Sequence, residues 1–158
     1  MHLENSDEYF ISKALLLAKK AYKNNDVPVG CVIVRNNKII ASGYNKRHKN
    51  KNSLKHAEII AINKACKKLK KWILDDCTLY VTLEPCIMCA GALIQSRIKK
   101  VVFGSYEQKS GCCGSKMNIV TENNFNHRLE AVGGVLEEEC TTLLKEFFKE
   151  LRKNKCLK

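Results

Sequence analysis

Residues 82–92 read Thr-Leu-Glu-Pro-Cys-Ile-Met-Cys-Ala-Gly-Ala, which sets two thiols, Cys86 and Cys89, three positions apart directly after Pro85. On a helix that spacing puts both sulfurs on one face. Proline is tolerated at or just before a first helical turn, because the N–H it lacks would have no intrahelical partner there. The thiols are therefore expected at a helix N-terminus, where the positive end of the helix dipole favours thiolate, the form that binds metal. Around this stretch, residues 78–82 read as a strand, 86 to about 95 as the ligand helix and 100–104 as the next strand. Strand, helix and strand in that order imply a right-handed parallel crossover. Sites in such sheets lie beyond the strand carboxyl ends, where Glu84 and Pro85 deliver the thiols.

Two thiolates do not complete a zinc site. Of the four histidines, His56 opens the apolar run 57–62 and has a glutamate, Glu58, two residues on. His56, Cys86 and Cys89 make three protein ligands, the number found in catalytic zinc sites that keep one position for water; structural zinc is closed by four. Glu58 then serves as the acid/base beside that water. A regular helix would turn His56 and Glu58 to different sides, so His56 is expected at or just outside the first turn. The alternative is a four-ligand zinc clip completed by Cys112 or Cys113, in which Glu58 has no task.

Outward from the site, Ser6 can cap a helix with Asp7 and Glu8 in its first turn and Phe10, Ala14, Leu17, Ala18 and Ala21 at helical spacing, running to about Asn24. Residues 30–35 and 38–44, joined by Asn36-Asn37, read as an antiparallel hairpin whose strands are both apolar enough to be covered on two faces. The segment 46–55 is a basic loop without periodicity, either solvated or in contact with RNA. A helix is expected over 57–69, closed by lysines that suit the negative end of its dipole. A Gly-rich loop over 105–115, a short strand over 132–136 and a helix from 137 to about 153 complete the chain. The pattern is α/β, with helices on both faces of a mixed five-stranded sheet.

The chain has 158 residues, 45% of them hydrophobic, with two prolines and eight glycines, which suits one globular domain. With 28 Lys and Arg against 16 Asp and Glu, its formal charge is +12, so nucleic acid is the leading partner class, although general lysine enrichment gives the same excess. Nine cysteines, an odd count, read as thiols and ligands, with Cys31, Cys66, Cys77 and Cys140 in apolar periodic runs expected as small core residues. His2 and His48 are expected in solvent and His127 as a structural hydrogen-bonder. The acidic N-terminus lacks the features of a secretory signal, and no apolar run approaches membrane-spanning length. A soluble cytoplasmic protein, with no membrane partner, is expected.

His56-Ala57-Glu58, the run 78–92, Ser96-Arg97-Ile98 and Val101-Val102-Phe103-Gly104 resemble the bacterial tRNA-specific adenosine deaminases of the cytidine deaminase superfamily. The likeness runs from about residue 7 to 152. It implies a single zinc-dependent deaminase domain over 1–158 with the three-layer α/β/α cytidine deaminase-like fold and one Zn2+ per subunit. It also implies a homodimer that holds a tRNA anticodon arm. The implied reaction turns the wobble adenosine into inosine, with zinc-bound hydroxide attacking the amine-bearing ring carbon and Glu58 shuttling protons. Substrate-binding positions of the family match Val27, Pro28 and Val29, which would pack on the flipped base, with Ala57 beside the ligands and the Asn45 amide reading the base edge. For neighbouring nucleotides the resemblance implicates Glu107, Lys109, Ser110, Phe147, Phe148 and Arg152, one ring of the phenylalanine pair facing RNA and the other the core. Glu107 is one methylene longer than the aspartate usual at its position. A free-purine deaminase, such as guanine deaminase, shares the metal signatures, and a non-catalytic zinc RNA-binding module would share the charge.

Overall fold

The computed structural model of the chain describes residues 5–122 and 125–156; His2 lies outside them. In chain order the elements are α1 (Asp7–Lys23), β1 (Gly30–Arg35), β2 (Lys38–Tyr44), α2 (Arg47–Asn50), α3 (Ala57–Leu69), β3 (Thr78–Leu83), α4 (Ile87–Gln95), β4 (Lys100–Ser105), β5 (Glu130–Val132) and α5 (Glu137–Cys156). The strands form one mixed sheet in the order β2-β1-β3-β4-β5. β1 runs antiparallel to β2 and β3, whereas β3, β4 and β5 are parallel.

Successive strand residues point to opposite faces, and here they feed two cores. Cys31, Ile33, Leu79, Val81, Val101 and Phe103 pack with residues of α3 and α4. Val32, Val34, Tyr80 and Val102 pack with Phe10 and Ile11 of α1 and Cys140 of α5. The result is the expected three-layer sandwich. Two glycines let the helices approach closely: a Cβ at Gly30 would fall on the Ala14 carbonyl of α1, and one at Gly43 would lie 2.5 Å from the Ala57 carbonyl oxygen of α3. α1 starts as its sequence predicts, with the Tyr9 N–H donating to Ser6 Oγ at 3.1 Å.

Four expectations about the elements need correction. The two faces of β2 are unequally covered: Ala41 and Gly43, on the face that meets α3, are buried while Ser42 and Tyr44 on the other are half-buried. The basic segment 46–55 contains one helical turn, α2, because the buried Asp26 reaches across to accept the His48 N–H at 2.9 Å. The last strand occupies 130–132 rather than 132–136, since Gly134 and Leu136 adopt positive φ (84° and 51°), which no strand continues through. α5 runs on to Cys156. Of the expected core cysteines, Cys31, Cys77 and Cys140 are buried and Cys66 is half-buried. His127 Nε2 lies 2.8 Å from the Ile98 carbonyl oxygen. No helix among the described residues is long and apolar enough to cross a membrane.

Candidate active site

Three polar side chains meet where two helices begin on the same face of the sheet. His56 is the extended N-cap of α3 (φ −75°, ψ 152°), one step outside the first turn, and Cys86 is the extended N-cap of α4 (φ −74°, ψ 178°). Cys89 lies in the first turn of α4 and is buried. His56 Nδ1 stands 3.7 Å from Cys86 Sγ and 3.6 Å from Cys89 Sγ. Tetrahedral zinc, with bonds of about 2.0 Å to nitrogen and 2.3 Å to sulfur, holds such atoms about 3.6 Å apart. The donor set therefore fits that ion. Among the described residues no further Cys, His, Asp or Glu atom joins the cluster, so Cys112 and Cys113 do not complete a four-ligand clip.

The three side chains differ in how readily each gives up its proton. A hydrogen bond from the Cys89 thiol pulls Cys86 down to about 3, against the effect of burial and with help from His56. The bond to Cys86, together with burial, pushes Cys89 up. His56 is raised by its bond to Cys86 more than burial lowers it. Cys86 is thus the ready thiolate of the pair.

Glu58, in the first turn of α3, is 4% exposed, and its Oε2 has no hydrogen-bond partner among the described residues. Burial raises its carboxyl above the usual range, partly offset by its own backbone N–H and by His56. A buried oxygen left without a protein partner is costly unless water or a ligand meets it. Opposite, Asn45 is 5% exposed and its Oδ1 accepts the Ala57 N–H at 2.9 Å. Since an N–H needs an acceptor, this bond fixes the amide orientation and leaves the Asn45 NH2 as the donor end of the group. Val29 is tied to Asn45 by a backbone bond of 3.1 Å.

These groups line a cavity of about 150 Å³ with Val27, Val29, Asn45, His56, Glu58, Cys86, Glu107 and Ser110 in its walls. Val27, Leu83 and Glu107 are shared with a wider neighbour of about 530 Å³, which Lys109, Phe148 and Arg152 also line. Of the residues singled out in the sequence, Pro28 and Ala57 are buried outside both linings. The phenylalanines divide: Phe147 is 6% exposed with its ring centroid 5.5 Å from Tyr22, and Phe148 is 40% exposed on the groove wall. Glu107 Oε1 accepts the Lys109 N–H at 3.0 Å.

Sequence reasoning passed over several lining residues. Thr141 and Lys145 lie on the α5 face that carries Phe148 and Arg152, and helical spacing could have found them. Leu83 lines the deep cavity because β3 ends there, and Arg47, from the basic segment expected either in solvent or in contact with RNA, lines it too. Glu84, 2% exposed, is legible in the sequence only as the residue that with Pro85 delivers the thiols; its carboxylate accepts the N–H groups of Glu107 (2.9 Å), Cys113 (3.2 Å) and Ser115 (2.9 Å).

Comparison with known proteins places these features in context. Residues 4–152 match the model of the MafB19-like deaminases. The tRNA-specific adenosine deaminase of Bacillus subtilis (strain 168) is 52% identical over 149 residues, covering 94% of this chain and 92% of that protein. A structure from studies of A-to-I editing by tRNA:A34 deaminases at the wobble position of transfer RNA superposes with a TM-score of 0.83 at 33% identity, over 86% of this chain and 99% of that one. The guanine deaminase of Bacillus subtilis is 40% identical with a TM-score of 0.61, over 64% of this chain and 65% of that one. The three-membered cluster makes a direct prediction. Cys112→Ser and Cys113→Ser should each retain stoichiometric zinc by elemental analysis, whereas His56→Ala, Cys86→Ala and Cys89→Ala should lose it.

Proposed function

The chain belongs to the tRNA-specific adenosine deaminases, within the MafB19-like deaminase family, and from that premise we propose that it hydrolyses the wobble adenosine of a tRNA anticodon loop to inosine at the His56, Cys86, Cys89 and Glu58 centre. The observation that carries this reading is the paired cavity. A deep pocket of about 150 Å³ suits one base, and it opens on a groove of about 530 Å³ that neighbouring nucleotides would fill. A free purine would leave that groove without use.

Zinc held by His56, Cys86 and Cys89 supplies a Lewis acid that brings the pKa of water to about 7 in favourable sites, so that a nucleophile exists at neutral pH. Glu58 does the proton work. Its unpartnered Oε2 accepts the proton of the attacking water and returns it to the ring nitrogen as the amine-bearing carbon becomes tetrahedral. It then takes the remaining proton from the new hydroxyl on that carbon and passes it to the departing amine as the C=O forms. Water and adenosine are consumed; inosine and ammonia leave. The Asn45 NH2 donates to an acceptor on the purine edge, while Val27 and Val29 pack against the ring, with Pro28 behind them and Ala57 N–H steadying Asn45. Extruding a base costs a few kcal/mol, least from an unpaired loop. Glu107, Lys109, Ser110, Phe148 and Arg152 then hold the flanking nucleotides, with Phe147 bracing the Phe148 ring at a centroid distance of 5.4 Å.

The same reading includes a cytoplasmic homodimer with the core of the domain over 7–152. Supporting the dimer is an apolar depression between α3 and α4, lined by Ile59, Ile62, Cys66 and Ala92, beside a Trp72 that is 61% exposed. A Cβ at Gly91 of α4 would meet nothing within 4 Å, so this helix face stays open and small. A monomer by light scattering at micromolar concentration would contradict the dimer.

Zinc-loaded protein should form inosine on an anticodon stem-loop carrying a wobble adenosine and leave free guanine unchanged. Turnover of guanine alone would overturn the substrate assignment. Glu58→Ala should keep its zinc and lose on the order of 10²–10⁴-fold in kcat, the usual worth of a positioned acid/base. Near-normal turnover at full zinc occupancy would contradict the role of Glu58.

A further inference from the structure

We infer that Glu84 is a positioning residue, a buried carboxylate that holds the loop after β4 in the shape needed to receive RNA beside the target base. The inference rests on the deaminase reading above and assigns Glu84 a part in the same site. Glu84 follows the last residue of β3 and precedes Pro85 and the metal ligand Cys86. Its backbone N–H donates to the Ser105 carbonyl at 2.9 Å, which fixes it beside the end of β4. From there the side chain gathers the loop: Oε2 accepts from Glu107 N at 2.9 Å, and Oε1 accepts from Cys113 N at 3.2 Å and Ser115 N at 2.9 Å.

The loop closes tightly on this anion. Gly111 N donates to the Glu107 carbonyl at 2.8 Å and Cys112 N to the Pro85 carbonyl at 2.9 Å. A Cβ added at Gly111 would fall on Glu84 Oε2 and 2.5 Å from the Glu107 carbonyl oxygen. The first anchored residue, Glu107, and Ser110 beyond it line the deep cavity, and Lys109 between them lines the groove. No side chain of the loop needs to contact Glu84 for this to work; the bonds go to backbone N–H groups. Hydrogen bonds to an ionised acceptor are about twice as strong as neutral ones, so one carboxylate can hold nine residues of loop through backbone groups, without engaging the side chains of Glu107, Lys109 or Ser110.

Glu84→Gln keeps the size of the side chain but turns an NH2 group, a donor, toward N–H groups that need acceptors. Gly111→Ala leaves the carboxylate intact and forces the loop away from it. Both variants should keep one zinc per chain and raise KM for the anticodon stem-loop on the order of tenfold, the worth of about one charge-assisted hydrogen bond, with kcat within about threefold. Amide hydrogen exchange over 107–115 should quicken in both, a readout that stands even if the wild-type protein fails to deaminate RNA. Failure of the functional reading would show in the wild-type assay alone. Unchanged exchange in the loop, or loss of zinc and kcat together at unaltered KM, would overturn the role given to Glu84.

Discussion

The approach of one imidazole nitrogen to two cysteine sulfurs, at 3.6 and 3.7 Å, is the constraint on which the rest of the arrangement depends. To make it, two helices must begin side by side with their N-caps extended, since an extended N-cap points its side chain out of the helix axis and toward its neighbour. α4 reaches its place because β3 ends in Leu83 and Glu84-Pro85 turns the chain into the helix. α3 reaches its place because Gly43 lets it settle on β2. Both helix starts bring positive dipole ends to the cluster, which favours the thiolates a metal requires. Glu58 then lies within the same first turn as the α3 cap, so one helix start fixes both His56 and the buried carboxyl beside it.

Two buried carboxylates shape the rim of the cavity by the same means. Asp26, fully buried, accepts N–H groups of Val27 at 3.0 Å and His48 at 2.9 Å, which ties the segment carrying Val27 and Val29 to the turn carrying Arg47. Glu84 gathers three N–H groups from the loop on the other side. Each anion is satisfied by backbone donors, so it holds its loop without engaging the side chains that line the opening. The cations there, Arg47 at the deep cavity and Lys109, Lys145 and Arg152 at the groove, agree with a polyanionic substrate.

Much of this was readable in the sequence because the relevant signals are local. Pro85 with Cys86 and Cys89 three apart marks a helix start, and His56 with Glu58 two residues on is informative because the pair cannot share a regular helix face. The long helices and the β1–β2 hairpin likewise carry their periodicity within a single window. What stayed hidden depends on distant partners. α2 forms because Asp26 reaches it from 22 residues away, and Glu84 meets its acceptor-seeking groups 23 to 31 residues downstream. β5 has three residues, one of them half-buried and two exposed, too short for an alternation to register. Phe147 falls at helical spacing from the buried Cys140 and Leu144, and Phe148 from Thr141, Lys145 and Arg152 on the groove face, but which face of α5 meets the core follows from distant partners such as Tyr22.

The central claim is that three protein ligands hold the metal and leave one position open. X-ray absorption at the zinc edge of the loaded protein measures this most directly. The account predicts two sulfurs at about 2.3 Å and two lighter atoms at about 2.0–2.1 Å, one from His56 and one from solvent. A shell of three or four sulfurs, or one complete without solvent, would mean a closed structural site and would contradict it.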